Sequence, residues 1–455
     1  MARSCHHCDE FSRASLVRKT AAEAGRGLPA IEPGMPLPAG TGLDRRAFVA
    51  RTLGLAISVY GAGKLHLFEE GIARAASGPA QPVLVSVFLP GGTDALSVLY
   101  PALDSTYRSL RPTLALDAGA GTQFSEDSRL YWHPSLSPFA TLHGEGKVSV
   151  LPAVGYTHPD QSHFTSRHFW EVGATETRLV SGWMGRYLDH VGTRDNPLQG
   201  LSLDYQLQPA LATAKVPVAS LAAPDEYTFD APGVWGDVEQ RMLEALGPLG
   251  SRRSDRFLNQ AANATTQSDR LRRELAPFTG NGYGTPVPYP DSDDPFPHQL
   301  AGLAAMLAAS LPLRCVAMTA PGEYDTHSDQ PKALADGLDI TARSLLAFQR
   351  DLEARGLADR VLTLVWSEFG RRAEENGSDG TDHGAAGTAF LIGTRARGQM
   401  VGEFPGVANL DDDGNLRATS DFRGVYCALL EQWLNEDAAA VIPGAGSFQR
   451  PVLVK

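Results

Sequence analysis

VLTLVWSEFGRRAEENGSDGTDHGAAGTAFLIG, residues 361–393, is the stretch whose reading decides the fold. Two short runs in it, Val361–Trp366 and Thr388–Ile392, are apolar without alternation. That is the pattern of parallel strands buried on both faces. The first run leads into Ser367-Glu368-Phe369-Gly370-Arg371, and the second follows Thr381-Asp382-His383-Gly384. Ligands of open α/β sheets sit at the carboxyl ends of the strands, so Glu368 falls where chemistry is usually done. The Gly/Asp/Asn-rich loop between the runs brings Asp382 and His383 back towards it. A carboxylate with a neutral imidazole suits hard to borderline divalent ions. The plainer reading of the same residues is a helix-capping acid and a hydrogen-bonded loop histidine.

The whole chain, 455 residues with 43% hydrophobic and 20% charged content, has the composition of a soluble globular protein with ample core. The formal net charge is -12. Residues 1–76 hold ten Lys/Arg and seven Asp/Glu, which leaves the remainder with 30 and 45. An acidic body of this kind argues against nucleic acid or an anionic membrane surface as partner. It also means that an anionic ester needs local cations to bind, and metal ions supply them.

Residues 1–43 are rich in Pro, Gly, Ala and Ser without hydrophobic period, and read as a disordered leader. Within it, Cys5-His6-His7-Cys8 is half of a zinc-site pattern with no second pair at finger spacing. Residues 44–76 resemble a twin-arginine export signal. Arg45 and Arg46 are paired, Phe48 follows two places on, an apolar run spans Leu53–Ala62, and Ala73-Arg74-Ala75 has the form of a cleavage site. The run is too short for a stable transmembrane anchor. The expectation is an exported protein, periplasmic or extracellular, handled by the twin-arginine machinery. An amphipathic helix that stays attached is the other reading.

Residues 77–455 then form one α/β domain: a mostly parallel central sheet flanked by helices, with a helical lid or side subdomain inserted at 181–294. Pro82–Leu89 reads as a strand running into Pro90-Gly91-Gly92-Thr93-Asp94, where two glycines allow a sharp turn. It matches neither a dinucleotide nor a phosphate-binding glycine loop. Asp94 is either a helix cap or a strand-end metal ligand. Lys147–Val154 is the next strand, followed by Asp160-Gln161-Ser162-His163 and a helix. Ser162, near that helix start, is placed as a nucleophile over backbone N–H groups, though N-cap serines are common. His163 is its nearest base. Leu313–Thr319 precedes Tyr324-Asp325-Thr326-His327, whose Asp-x-His spacing turns two ligands one way. Cys315 and Cys427 read as buried free thiols.

Four markers together, LPGGTD at 89–94, DQSHF at 160–164, YDTHSDQ at 324–330, and SEFGRR with TDHG at 367–384, resemble the exported bacterial family catalogued as domain of unknown function 1501. The family is placed in the alkaline phosphatase and sulfatase superfamily, and the resemblance spans roughly Val83 to Leu434. It implies a phosphate- or sulfate-ester hydrolase with Ser162 as nucleophile between two divalent ions (Zn, Mn, Ca or Mg). Asp94 and Glu368 would hold one ion, and Asp325, His327 and His383 the other. Phe369 stands where the superfamily usually has a histidine, so either Asp382 replaces the lost ligand or one metal site is weak or empty. Arg371 or Arg167 would orient the leaving oxyanion. A catalytically inactive binding protein of the same fold is the alternative that Phe369 favours.

Overall fold

The computed structural model describes residues 81–225 and 283–455, together with 58–60, 241, 245, 266–267 and 269–278. The leader and the Arg45-Arg46 motif lie outside the described residues. Fourteen strands are described in chain order. They are β1 (Ser58–Tyr60), β2 (Val83–Phe88), β3 (Leu99–Tyr100), β4 (Thr122–Gln123), β5 (Tyr131–Trp132), β6 (Val148–Gly155), β7 (Gly200–Leu203), β8 (Val218–Leu221), β9 (Cys315–Thr319), β10 (Val361–Trp366), β11 (Arg371–Glu375), β12 (Thr381–His383), β13 (Gly387–Ile392) and β14 (Ser420–Asp421). Nine of them form the central sheet in the order β1-β8-β7-β9-β2-β10-β13-β6-β14. From β8 to β10 every neighbour is parallel.

Both faces of this sheet are covered, which is why its strands are apolar without alternation. Val83, Val85 and Val87 of β2 join one core, while Leu84 and Phe88 join the other. The labelled helices are α1 (Ala95–Val98), α2 (Ser105–Leu110), α3 (Ser137–Gly144), α4 (His163–Val172), α5 (Trp183–Val191), α6 (Phe296–Ala308), α7 (Gln330–Ala354) and α8 (Phe422–Gln432). Phe139 of α3, Leu303 of α6 and Leu345 of α7 pack on the first face. Trp170 of α4, Leu188 of α5 and Tyr426 of α8 pack on the second. Cys315 and Cys427 are buried free thiols, as expected.

Three departures from the sequence reading matter. Strand β13 runs antiparallel to β10 and to β6, where a parallel strand was expected. A parallel return needs a crossover, usually helical. The intervening residues instead form the β11–β12 ribbon and feed β13 back along its neighbour. The 181–294 region does not lie wholly over the sheet, because β7 and β8 are strands of it. Finally, Ser58–Tyr60, inside the segment that resembles an export signal, pairs antiparallel with β8 as an edge strand.

Candidate metal and catalytic site

Strands β2, β9, β10 and β6 point the same way, so their carboxyl ends share one edge of the sheet. The antiparallel β13 begins at that same edge, and so the Asp382-His383 turn arrives there from the opposite direction. This places 90–94, 160–163, 324–327, 367–371 and 381–383 together, although they span nearly three hundred positions of sequence.

The turn after β2 is built for close approach. Gly91 and Gly92 have φ of +122° and +80°. A Cβ on Gly91 would sit 2.3 Å from Asp325 N, and one on Gly92 2.3 Å from the Phe369 ring. Their N–H groups donate to the Glu368 carboxylate at 3.0–3.1 Å. Ser367 Oγ donates to it as well, at 3.0 Å. Glu368 is fully buried. Burial alone would raise its pKa, but the hydrogen bond and charge of His163, with Ser367, hold it below the ordinary carboxylate value.

Three imidazoles lie against these loops, each oriented through Nδ1. His163, at the first position of α4, donates Nδ1–H to Glu368 Oε1 at 2.8 Å. His383 donates Nδ1–H to the Gln161 carbonyl at 2.8 Å, and His327 donates to Asp382 Oδ1 at 3.2 Å. Carbonyl and carboxylate oxygens only accept, so the proton is on Nδ1 in each case. Every Nε2 is therefore turned inward. His327 Nε2 lies 3.0 Å from His383 Nε2, and these atoms lie 3.3 and 3.4 Å from Asp325 Oδ1. His163 Nε2 is 3.5 Å from Asp325 Oδ2. Donors sharing a tetrahedral ion at about 2.0–2.1 Å stand roughly 3.3 Å apart. His163, Asp325 and His383 each offer one atom within 4.8 Å of the others, and His327 adjoins two of them.

The electrostatics suit that use. Burial, with the nearby Arg371 charge, pushes His383 down to about 4 and lowers His327 too, so both stay neutral at pH 7, the form that could ligate a metal. For Asp325, burial is outweighed by its contacts with His163 and His383 and by the Arg371 charge, which hold it strongly ionised. His163 is raised instead: burial opposes charge, but Asp325 and Glu368 flank it with two carboxylates.

The structure gives each expected site residue a definite place. Glu368 and Asp382 stand behind His163 and His327 as their hydrogen-bond acceptors, the arrangement that fixes tautomer and ring orientation around a metal. His163, expected as a base, lies in the ligand cluster itself. Asp94 is kept apart from it. Its oxygens take Arg111 Nη1 at 2.5 Å and Nη2 at 2.9 Å, Ser97 Oγ at 2.6 Å and Gln330 Nε2 at 2.6 Å, with both charges fully buried. Arg371 is enclosed too. It donates to the carbonyls of Gly91, Gly92, Thr381 and Tyr324 and to Asp325 Oδ1, so it clasps the loops around Asp325. Phe369 packs its ring 4.9 Å from that of His163 and 4.6 Å from that of His383. Ser162 is the N-cap of α4, but its hydroxyl does not cap the helix. It sits between Gln161, which orients His383, and His163. Sequence reasoning missed Arg111, Gln330 and the Gln161 carbonyl. No motif marks an arginine in LRPTL, or a backbone oxygen.

The family model described as "Protein of unknown function (DUF1501)" matches residues 82–419. No curated protein matches the sequence. Among solved structures, the chain is similar to phosphonate monoester hydrolase from Silicibacter pomeroyi (11% identity over 81% of this chain and 75% of that one, TM-score 0.32). It is similar also to the C-terminal periplasmic domain of EcEptC from Escherichia coli in complex with Zn (10%, 79% and 84%, TM-score 0.34). A third is a protein in the alkaline phosphatase superfamily from Vibrio parahaemolyticus (8%, 88% and 80%, TM-score 0.33). Scores this low carry no residue-by-residue correspondence.

Proposed function

The chain belongs to the family described as protein of unknown function (DUF1501), and we propose that it is an exported, metal-dependent hydrolase of phosphate or sulfate esters with Ser162 as nucleophile. One observation carries this reading: the Nε2 atoms of two neutral imidazoles, both electron-pair donors, face each other at 3.0 Å and stand 3.3–3.4 Å from Asp325 Oδ1, an ionised oxygen whose other side Arg371 takes. Facing acceptors repel unless a cation lies among them.

His163, Asp325 and His383 hold the ion in this reading, with His327 beside them. A divalent cation held there would supply Lewis-acid polarisation of an ester oxygen and would favour ionisation of a hydroxyl brought to it. Ser162 contributes a hydroxyl not engaged in helix capping, at the N-terminus of a ten-residue helix where backbone N–H groups favour an anion. Arg371 and Asp325 hold the loops in register. The second ion implied by the resemblance has no ligand set in this proposal, because Arg111 takes Asp94 and the Gly91 and Gly92 amides take Glu368.

Metal analysis of the purified full chain tests the reading. It expects about one equivalent of Zn or Mn, less than a third of it in His383→Ala, and turnover of nitrophenyl esters that Ser162→Ala abolishes with the metal retained. A metal-free chain that binds none when dialysed against Zn and Mn sinks it. That result favours the catalytically inactive binding protein, which finds support in Phe369 packed on the two histidines. Export rests on Arg45-Arg46 and the Ala73–Ala75 pattern, and cell fractionation checks it. Cleavage there would also remove β1 from the sheet edge, which the mass of the mature chain reveals.

A further inference from the structure

The charges around the site are almost all matched in pairs. Arg111 is neutralised by Asp94 with both side chains fully buried, and Arg371 by Asp325 at 2.6 Å. Arg167, on α4 one turn after His163, bonds Glu171 at 2.7 Å. Arg372 lies across the β11–β12 ribbon from Asp382 and lowers it through charge alone, with no ion pair between them and its own Nε unpartnered. Among the described residues, Glu368 is then the site carboxylate with no arginine of its own, and it faces His163. Glu323, exposed near Asp325, adds negative charge at the rim. With one divalent ion held by a neutral His163, the site carries at most one unit of net positive charge, inside a body whose formal net charge is strongly negative.

We infer that the ligand of this site is a singly charged tetrahedral oxyanion ester, a sulfate monoester or a phosphate diester, and not a doubly charged phosphate monoester. The inference rests on the single-ion reading above. One negative charge closes the site to neutrality. A second would exceed the one positive charge left after the buried Glu368 is set against the ion, since Arg111, Arg371 and Arg167 each already have a carboxylate, and charge left unmatched beside buried groups is costly. Specificity here is a difference of affinities set by what is not neutralised, rather than by added contacts. Asp382 tunes it: about half-exposed, it is the one site carboxylate whose charge can be removed while an oxygen acceptor for His327 Nδ1 remains.

The test uses the Zn-loaded full chain and measures binding by calorimetry at pH 8, with turnover of the 4-nitrophenyl counterparts alongside. The probes are phenyl sulfate, diphenyl phosphate and phenyl phosphate, the last a dianion because its second pKa is about 6. Phenyl sulfate or diphenyl phosphate is expected to bind at least tenfold tighter than phenyl phosphate at pH 8. The gap should close towards pH 5.5, where phenyl phosphate gains a proton. Which singly charged probe leads assigns sulfate or diester chemistry. In Asp382→Asn the phenyl phosphate affinity should gain at least threefold relative to phenyl sulfate. Equal or tighter binding of phenyl phosphate at pH 8, or binding of no probe, overturns the inference. Turnover that favours the dianion overturns it and leaves the hydrolase reading standing. Singly charged probes bound preferentially without turnover support it and remove the hydrolase reading instead.

Discussion

Replacing Arg111 with methionine gives the sharpest test of where Asp94 belongs. The substitution removes two hydrogen bonds to Asp94 at 2.5 and 2.9 Å and two to the carbonyls of Ala373 and Arg372 at 2.8 and 2.9 Å. It leaves a fully buried carboxylate with only Ser97, Gln330 and the Leu96 amide as donors. Breaking one side of a buried pair costs about 3–5 kcal/mol, which for a domain of this size corresponds to a fall in melting temperature of about 4–6 °C. The pH dependence has a definite sign. In the native chain burial tends to raise the Asp94 pKa, but Arg111 lowers it, so its contribution to stability is present above the unfolded value near 3.8 and lost below the folded one. Without Arg111, desolvation prevails and the folded pKa lies above the unfolded one. The variant then loses stability as pH rises from 4 to 7, and its deficit against the native chain is smaller at pH 4. Adding Asp94→Asn to Arg111→Met should recover most of the loss at pH 7. Denaturation followed by circular dichroism at both pH values is the assay. A loss under 1 kcal/mol at pH 7, or a deficit larger at pH 4, refutes the buried-pair argument and returns Asp94 to the list of ligands.

Two further outcomes follow from the same geometry. His383 is held near 4 against an ordinary 6.5, so the unfolded chain takes up a proton between those values that the folded metal-free chain does not. Metal-free protein should therefore lose about 3 kcal/mol of stability as pH falls from 6.5 to 4, and His383→Asn should flatten that slope in denaturant melts. Gly92→Ala puts a methyl 2.3 Å from the Phe369 ring at φ +80°, and should cost about 2 kcal/mol or more while loosening the amides on Glu368. A wild-type melting temperature in that variant would refute the claim that the turn is built for close approach.

The sheet was legible because burial on both faces writes itself into composition: Val361–Trp366 and Pro82–Leu89 admit few polar residues. Direction was not, since an antiparallel strand covered on both faces has the same composition as a parallel one. Thr388–Ile392 was misjudged for that reason. That Asp325, His327, His383, Glu368 and Asp382 would meet at one edge was legible, because all of them follow or precede strands whose ends share the carboxyl side of one sheet. Their ranking was not. Whether a carboxylate meets an ion, an imidazole or a guanidinium depends on residues such as Arg111, 17 positions beyond Asp94 and without a motif of its own.

The reversed strand also explains how so compact a cluster arises. Had β13 been parallel to β10, its start would lie at the amino edge of the sheet, a strand length away from Asp325. Because it runs back, the residues preceding it reach the carboxyl edge beside Glu368, and the β11–β12 ribbon pairs Arg371 with His383 across one register position. Arg371 thereby reaches the loops after β2 and β9 while His383 faces Gln161 and Asp325. The antiparallel return is thus the topological condition for three imidazoles from three segments to face one carboxylate. Lengthening the ribbon by two residues should abolish metal binding while leaving the parallel strands folded.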